Sequence, residues 1–494
     1  MPHTVLLYNP RSTSAGKQRL PLSLMAIAAM IVPEYEVEFI DGNLIPDPAA
    51  HILDRARATG ATLLAVTVMP GPQLKQAVEV CKRVKAAFPA LQIVWGGYFP
   101  THHGEITVRS GYVDFAIEGQ GEVAFRRLVD TLHQGGALAD VPSLWYTEKG
   151  TPTLTPRAPL LPLNNLPYYP YEKIDMTPYA QKHYLGKRCY PHHSSFGCPF
   201  ACSFCAVVAL SHQRWLAESA ERTAKIVTRL HTQYGADSLE FHDMDFFVSE
   251  GRTREFAERI TPLGLRWWGL GRADTLMGYS DATFATMQKS GVKMIFMGAE
   301  SGSDEVLARM NKGGTSAVAV TEAIVARLKQ YNIVPELSFV LGNPPDPLAD
   351  IDASLRFIKR LKRLNPAIEL ILYIYTPVPQ DGAGLYEEAK RLGFRFPESL
   401  DEWANDDWET YAFRRNPNLP WFTEVARRRV RDFETVINAY YPTVTDMRLH
   451  HSGMKIILKA LSGWRYRLGI YRAPYELKAL QKLIRYRRPE TTGF

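Results

Sequence analysis

The feature that most limits how this chain folds is an alternation of short apolar runs with amphipathic stretches, and it occurs in two blocks. In the first, TVLLYNP, YEVEFIDGN, TLLAVTVMPG, LQIVWGGYFP and DFAIEGQG are separated by stretches such as PLSLMAIAAMIV and GPQLKQAVEVCKRVKAAF. Strands that are apolar throughout need cover on both faces, so they predict a parallel sheet between helical layers. In the second block, from His192 to about Phe396, the strands read HHSSFG, SLEFHDMDF, RWWGLGRA, KMIFMGAES, PELSFVLGNP and IELILYIYTPVP. Six such units suit a partial (β/α)6 barrel better than a full eightfold one.

A chain of 494 residues exceeds one ordinary core. The fold class is therefore α/β with a division into four parts. Residues 1–140 form a doubly wound, Rossmann-like parallel-sheet domain, and 141–190 a hairpin and Pro-rich linker. Residues 191–397 form the partial barrel, and 398–494 a mainly helical accessory region with basic helices. Hydrophobic content of 46% and charged content of 22% are those of a soluble globular protein. No N-terminal signal pattern is visible, and the apolar run Leu20–Val32 falls short of the roughly 20 residues that span a bilayer. The expected location is cytoplasmic, with membrane association left open by the tail. The net charge of +7 is uneven: residues 448–488 carry 11 Lys+Arg against one acid, Glu476, whereas residues 1–150 are nearly balanced.

The stretch SSFGCPFACSFCAVVAL (194–210) places Cys198, Cys202 and Cys205 in a C-x3-C-x2-C spacing, in a chain with only five cysteines. So few cysteines, so clustered, indicate a metal or redox site in a reducing compartment rather than a disulfide framework. Structural zinc takes four ligands, and so does a four-cysteine iron–sulfur cluster. Three readings of these residues stand side by side. One is zinc completed by His193 or Cys189, and another is three unrelated core cysteines. The third is a four-iron cluster with three protein ligands and one iron open to a further ligand. Because ligands of parallel α/β folds gather at the carboxyl ends of strands, the position after the first strand of the block suits a reactive centre.

GCPFACSFCA resembles the cluster loop of the radical S-adenosylmethionine (SAM) superfamily. The resemblance continues in GAESGSDEVLARMNKG (298–313), FVLGNP and YTPVP. TVMPGPQLKQA, VWGGYFPTHHGE and AIEGQGEVAFRRL resemble the cobalamin-binding domain fused to one branch of that superfamily. Together these similarities cover roughly residues 1–400 and imply a [4Fe-4S] cluster, SAM and cobalamin, with an external electron donor of the flavodoxin or ferredoxin type. They imply cluster ligation by Cys198, Cys202 and Cys205, and SAM contacts from Phe204, Asp243, Arg272, Glu300 and Ser301. For cobalamin they imply Asn9, Thr67, Met69, Gly71, Gln73, Gly96, Gly97, Thr101, Glu118, Gly119 and Gly121. The Asp-x-His-x-x-Gly loop that ligates cobalt in classical cobalamin mutases is absent, since His102 and His103 stand in FPTHHGE. The expectation is cobalamin without histidine ligation, its lower face covered by Thr67–Gln73. YTPVPQDG departs from the usual TPxPGT, and LPLSL from PPxGL, so the analogy is weakest at the substrate loops.

Ordinary structural roles compete with several of these assignments. The strand-end glycines serve turn geometry, Glu122 suits a helix start, and Cys81 in LKQAVEVCKRVKAAF reads as core. Asp243 and Asp245 of HDMDF read as turn residues near SAM. Cys189 is a lone linker thiol, either incidental or a relay. Tyr373, Tyr375, Trp403 and Trp408 are either core or the wall of a site for a large, partly apolar substrate. The basic tail WRYRLGIYRAPYELKALQKLIRYRRPE reads first as a solvated helix whose apolar face packs on the barrel. Peripheral contact with an anionic membrane is the alternative, and nucleic acid is disfavoured.

The resemblance implies a methyltransferase that acts on an unactivated carbon of a small-molecule, lipid or pigment-like substrate. A deoxyadenosyl radical would remove a hydrogen atom and methylcobalamin would supply the methyl group. The alternatives are a cyclase or ring-rearranging enzyme with the same cofactors, and a non-catalytic cobalamin or iron–sulfur sensor.

Overall fold

The structure, a computed structural model, describes residues 3–14, 16–182, 184–312, 317–380, 383–411, 418–445 and 452–483. Seven strands form the first sheet: β1 (Thr4–Asn9), β2 (Glu36–Asp41), β3 (Leu63–Thr67), β4 (Gln92–Gly96), β5 (Phe115–Ile117), β6 (Leu144–Glu148) and β7 (Thr151–Leu154). Their order is β2-β1-β3-β4-β5-β6-β7. The first five are parallel, and the hairpin β6–β7 extends the sheet antiparallel along β5. Val5, Leu6, Leu7 and Tyr8 are fully buried, as expected for a strand covered on both sides. The helix Pro72–Ala87 starts on a proline that has no amide hydrogen to satisfy. It buries Leu74, Ala77, Val78, Cys81 and Val84, one face at helical spacing. Cys81 accepts a hydrogen bond from Trp95 Nε1 at 3.3 Å, so its core role holds. Strand order reverses between β1 and β3, which opens a crevice beyond Asn9 and Thr67.

The second block contains β8 (Cys189–His192), β9 (Ser195–Gly197), β10 (Trp215–Ala217), β11 (Ser238–Phe241), β12 (Arg266–Gly271), β13 (Val292–Glu300), β14 (Val334–Leu341) and β15 (Glu369–Ile374). Six of them form a parallel sheet in the order β15-β14-β13-β12-β11-β8. Its two ends do not pair, so the barrel is partial as expected. The expected strand HHSSFG is in fact two, because Asp243 binds the Ser194 amide and the hydroxyls of Ser194 and Ser195 and pinches the chain between β8 and β9. Strand β9 then pairs with β10, so an antiparallel ribbon brackets the cysteine loop.

Alternation divides the second sheet into two faces. Phe241, Trp267, Ile295, Met297, Leu337 and Phe339 are buried against the helices. On the concave face Trp268 Nε1 donates to Glu336 at 2.7 Å across β13, and its ring lies 5.5 Å from His242 and 6.3 Å from Phe296.

The C-terminal region clasps both blocks. Lys75 pairs with Asp406 at 2.5 Å and Glu409 at 2.7 Å, and Lys82 with Asp401 at 2.6 Å. Trp403 packs against Phe99 at 5.3 Å, His103 at 4.9 Å and Phe396 at 5.6 Å between ring centres. Trp403 and Tyr375 are therefore buried packing residues, whereas Tyr373 stays half-buried on β15. Gln380 is described, but Asp381 and Gly382 of YTPVPQDG, and residues 484–490 of the basic tail, lie outside the described residues.

Candidate active site

The loop that follows β9 carries the three cysteines and is sewn to the segment after β13. Ser203 donates its amide to the Met310 carbonyl at 2.9 Å and its hydroxyl to Arg309 O at 3.1 Å, and Asn311 Nδ2 donates to Ala201 O at 2.9 Å. Burial pushes the Cys198 thiol up to about 12 and Cys205 to about 11. It raises Cys202 as well, against the pull of Arg272 and Lys312. Thiols of this kind hold their protons until a cation takes them as thiolates. Among the described residues, no three His, Cys, Asp or Glu side chains converge as a single-ion site. Cys189 starts β8, at the end of the sheet opposite the loop.

Arg272, at the end of β12, gathers several groups. Its Nη1 lies 3.4 Å from Cys202 Sγ, its guanidinium lies 3.8 Å from the Phe200 ring centre, and Nη2 donates to Lys312 O at 2.7 Å. Asp274 holds it through two bonds of 3.0 and 2.6 Å. Glu300, whose backbone φ is 61°, accepts from Lys312 Nζ at 2.7 Å. Lys312 is buried and also bonds the Gly298 carbonyl. It was not among the expected site residues. Its only sequence signal is that it sits at the end of the resemblance segment that begins GAES.

The other expected SAM contacts have different surroundings. Phe204 is half-buried against the core. Asp243 is engaged by the two serines of the β8–β9 turn. The Ser301 hydroxyl donates to Asp350 at 2.8 Å, and Asp350 in turn accepts from the amides of Gly342 and Asn343. Asp245 is the carboxylate left over: both oxygens are buried and have no partner among the described residues. Burial raises it to about 7, with nearby Arg272 opposing. A buried acid without a partner points to a ligand that supplies one.

The candidate cobalamin residues gather at the carboxyl edge of the first sheet, joined by neutral hydrogen bonds. Gln73 Nε2 donates to Asn9 Oδ1 at 3.0 Å and Gln73 Oε1 accepts from the Met69 amide at 2.8 Å, which shapes the Thr67–Gln73 loop and leaves Met69 54% exposed. Thr67 Oγ1 lies 2.9 Å from Ser23 Oγ, and Gly71 precedes the helix. Thr101 Oγ1 donates to Gly97 O at 2.7 Å and accepts from the Gly119 amide at 3.0 Å, which ties the β4 and β5 loops. Gly97 has φ of 99° and would place a Cβ 3.3 Å from the Val68 carbonyl, whereas a Cβ on Gly96 would meet nothing within 4 Å. Gly121 opens the helix after β5. The Glu118 carboxylate is paired with Arg157 at 2.7 Å.

This edge faces the cysteine loop. A Cβ on Gly119 would stand 3.7 Å from the Leu210 carbonyl, and the Tyr98 hydroxyl is raised by burial and by neighbouring Cys205. His102 stacks on Tyr98 at 4.5 Å and bonds its carbonyl through Nδ1, leaving Nε2 buried without a partner among the described residues. Further into the barrel, Arg19 reaches His242 at 3.0 Å, and His242 bonds Glu240 at 3.0 Å. The His193 ring keeps accessible surface, yet burial lowers it to about 3. A ring that is both accessible and closely surrounded lines an internal space.

Residues 12–129 match the family described as B12 binding domain, and residues 193–358 match the radical SAM superfamily. An uncharacterized methyltransferase of Pyrococcus horikoshii is 28% identical over 394 residues, covering 78% of this chain and 83% of the relative. An anaerobic magnesium-protoporphyrin IX monomethyl ester cyclase of Synechocystis is 25% identical, covering 76% of this chain and 75% of the relative. Among solved structures, the radical SAM methyltransferase TsrM of Kitasatospora setae, with cobalamin and a [4Fe-4S] cluster bound, superposes with a TM-score of 0.68 at 16% identity. The match covers 98% of this chain and 99% of that one.

Proposed function

The chain belongs to the cobalamin-dependent radical SAM family, and from that membership we propose that it methylates an unactivated carbon of a small-molecule, lipid or pigment-like substrate. The family works with a [4Fe-4S] cluster, SAM and cobalamin, and the residues of this chain fit all three. Cys198, Cys202 and Cys205 are three sulfur donors on one loop, Cys202 buried and the other two half-buried, and the cations Arg272 and Lys312 stand beside Cys202. The unpartnered carboxylate of Asp245 suits the ammonium group of SAM. The open space beside Gly96 and the orphaned Nε2 of His102 suit the amide-fringed corrin. When bound, these groups supply a radical that removes a hydrogen atom and a methyl group that can replace it.

The observation that carries the proposal is the meeting of the two edges. The glycine-bearing loop after β5 meets the helix that follows the cysteine loop, with Gly119 against Leu210, and the nearby Cys205 adds to the burial that raises the Tyr98 hydroxyl. Hydrogen removal and methyl delivery must reach the same carbon, which asks for both cofactors at one substrate. The protein's part is to hold that carbon, to exclude water, and to fix the cluster loop through Ser203 and Asn311. Half-buried Tyr373, Trp268 and Phe296 and the neutral ring of His193 line the concave face together with the charged side chains of Glu336, Glu240 and Arg19. The names of several relatives support methyl transfer, among them a bacteriochlorophyllide d C-12(1)-methyltransferase of Chlorobaculum tepidum at 24% identity. The similarity to the Synechocystis cyclase supports a second reading, ring closure without methyl transfer.

Cells with and without the gene, fed methionine carrying a deuterated methyl group, distinguish the two. A gene-dependent product that is heavier by the deuterated methyl is the expected result. A gene-dependent product without label would assign the cyclase chemistry. Reduced, reconstituted protein that releases no 5′-deoxyadenosine from SAM would overturn both.

A further inference from the structure

The C-terminal helix Ser452–Leu468 has two apolar faces, and the described residues cover only one of them. Leu458, Ser462 and Tyr466 are buried towards the helix Glu424–Tyr440. Tyr466 stacks on Tyr440 with ring centres 4.3 Å apart, and a Cβ on Gly463 would touch the same ring at 3.5 Å. An apolar face packs as expected, but its neighbour here is the helix Glu424–Tyr440 of the same region, where the barrel was expected. A solvated helix would then carry charge on the opposite side. Instead Ile457, Leu461, Trp464 and Leu468, spaced i, i+4, i+7, i+11, form an outward stripe with Ile456 beside it. These five side chains are 42% to 70% exposed. Ile470 continues the patch beyond the helix at 45%. Single exposed apolar residues are ordinary, but a contiguous row of them marks an interaction surface.

The charges nearby choose the occupant. Residues 452–483 contain seven Lys+Arg and one acid, Glu476. Glu476 is taken by Arg465 at 2.9 Å, and Lys478 pairs with Asp432 at 2.6 Å. Lys455, Lys459, Arg467, Arg472 and Lys482 have no acidic partner among the described residues. A second copy of this face would bring the same excess of positive charge. So would residues 484–494, with Arg485, Arg487 and Arg488 against Glu490. The surface that complements an apolar stripe rimmed by cations is an anionic lipid bilayer, with the headgroups meeting the bases and the acyl boundary meeting the stripe. Trp464, together with Tyr475 at 74% exposure, supplies the aromatic side chains that settle at headgroup level. No helix of the described residues is long and apolar enough to cross a membrane, so the contact is one of lying on the surface. We propose that this outward face docks the protein on an anionic membrane surface, with the 17-residue helix, about 25 Å long, lying in the interface plane.

The test is flotation of the full-length, cluster-loaded protein with vesicles of phosphatidylcholine alone or with about one-third phosphatidylglycerol. Wild type should float with the anionic vesicles at least tenfold more than with the neutral ones, and high salt should release it. Ile457→Ser/Leu461→Ser/Trp464→Ser should lower flotation about tenfold with an unchanged melting temperature, because the three side chains are exposed. Arg467→Glu/Arg472→Glu should do the same with the stripe intact. The proposal fails if wild type does not float, if it floats equally with both vesicles, or if the triple variant floats like wild type. It also fails if sedimentation shows a dimer that the triple variant dissociates, since a second copy would then cover the face.

Discussion

The two sheets present opposite surfaces at their carboxyl edges. The first offers glycine backbone and mostly uncharged hydrogen bonds, Asn9 to Gln73, Thr67 to Ser23, and Thr101 to Gly97 and Gly119, with the ion pair of Glu118 and Arg157 after β5. The second concentrates charge: Arg272 with Asp274, Lys312 with Glu300, and Asp245 unpaired. On the proposed function, the difference matches what each edge would hold. A large neutral-edged ligand is held by shape and by close backbone approach, and a charged group in the way would cost desolvation. A zwitterionic ligand beside a metal cluster needs fixed charges, and these are affordable when buried only if they neutralise one another. One edge is therefore sensitive to added volume and the other to lost charge.

Substitutions can break this contrast, and the largest effect belongs to the charged edge. Cys198→Ala removes one of three sulfur donors, and cleavage of SAM to 5′-deoxyadenosine should fall by at least about a thousandfold, with the iron content of anaerobically reconstituted protein falling in step. Lys312→Met keeps the volume but strands Glu300 as a buried carboxylate without its ammonium partner. The expected loss is about 3 kcal/mol of stability in denaturant unfolding, and Lys312→Met/Glu300→Gln should recover much of it. A double variant as unstable as the single one would show that the pair is not the source.

At the neutral edge, adjacent glycines should behave differently. Gly97→Ala forces a side chain into positive φ beside the Val68 carbonyl and should cost about 1–2 kcal/mol. Gly96→Ala meets no protein atom and should leave stability unchanged while reducing corrinoid retention on gel filtration. Equal retention by wild type and Gly96→Ala would remove Gly96 from the cobalamin surface.

The clasp that joins the halves should add a dependence of stability on pH. Burial lowers His103 to about 3, below its ordinary 6.5, among Phe99, Phe396 and Trp403. Between those values the unfolded chain binds a proton that the folded one refuses. Its contribution is thus complete above pH 6.5 and is lost as pH falls towards 3, at about 1.4 kcal/mol per pH unit. His103→Phe should flatten this part of the stability profile between pH 6 and 4. An unchanged slope would assign the acid sensitivity to another group.

How far the site was legible depended on separation along the chain. The cysteine trio and the glycines after β3, β4 and β5 are local patterns, and they lie at the strand ends where parallel-sheet ligands gather. Asp243 and Asp245 look equivalent in HDMDF, yet one is consumed by the β8–β9 turn and the other faces inward unpaired. Two residues beyond the end of β11 the strand's alternation no longer says where a side chain points. Arg272 reaches Cys202 from 70 residues away, and Asn311 reaches the cluster loop from 110. No spacing rule covers such distances, and Lys312, although only 12 residues from Glu300, stands in no periodic pattern that would turn it back towards that carboxylate.

The order of strands and helices, the parallel character of both sheets, and the gathering of three thiolate-forming residues on one loop are determined by periodicity and spacing within a few tens of residues, since hydrophobic burial acts on each element wherever it packs. The pairing of buried charges at the barrel mouth, the division of labour between two near-identical aspartates, the clasp of Lys75 on Asp406, and the apolar stripe left facing outward were decided only by the tertiary structure. Electrostatic neutralisation and surface exposure are properties of neighbours in space, and these neighbours lie as much as 331 residues apart in the chain.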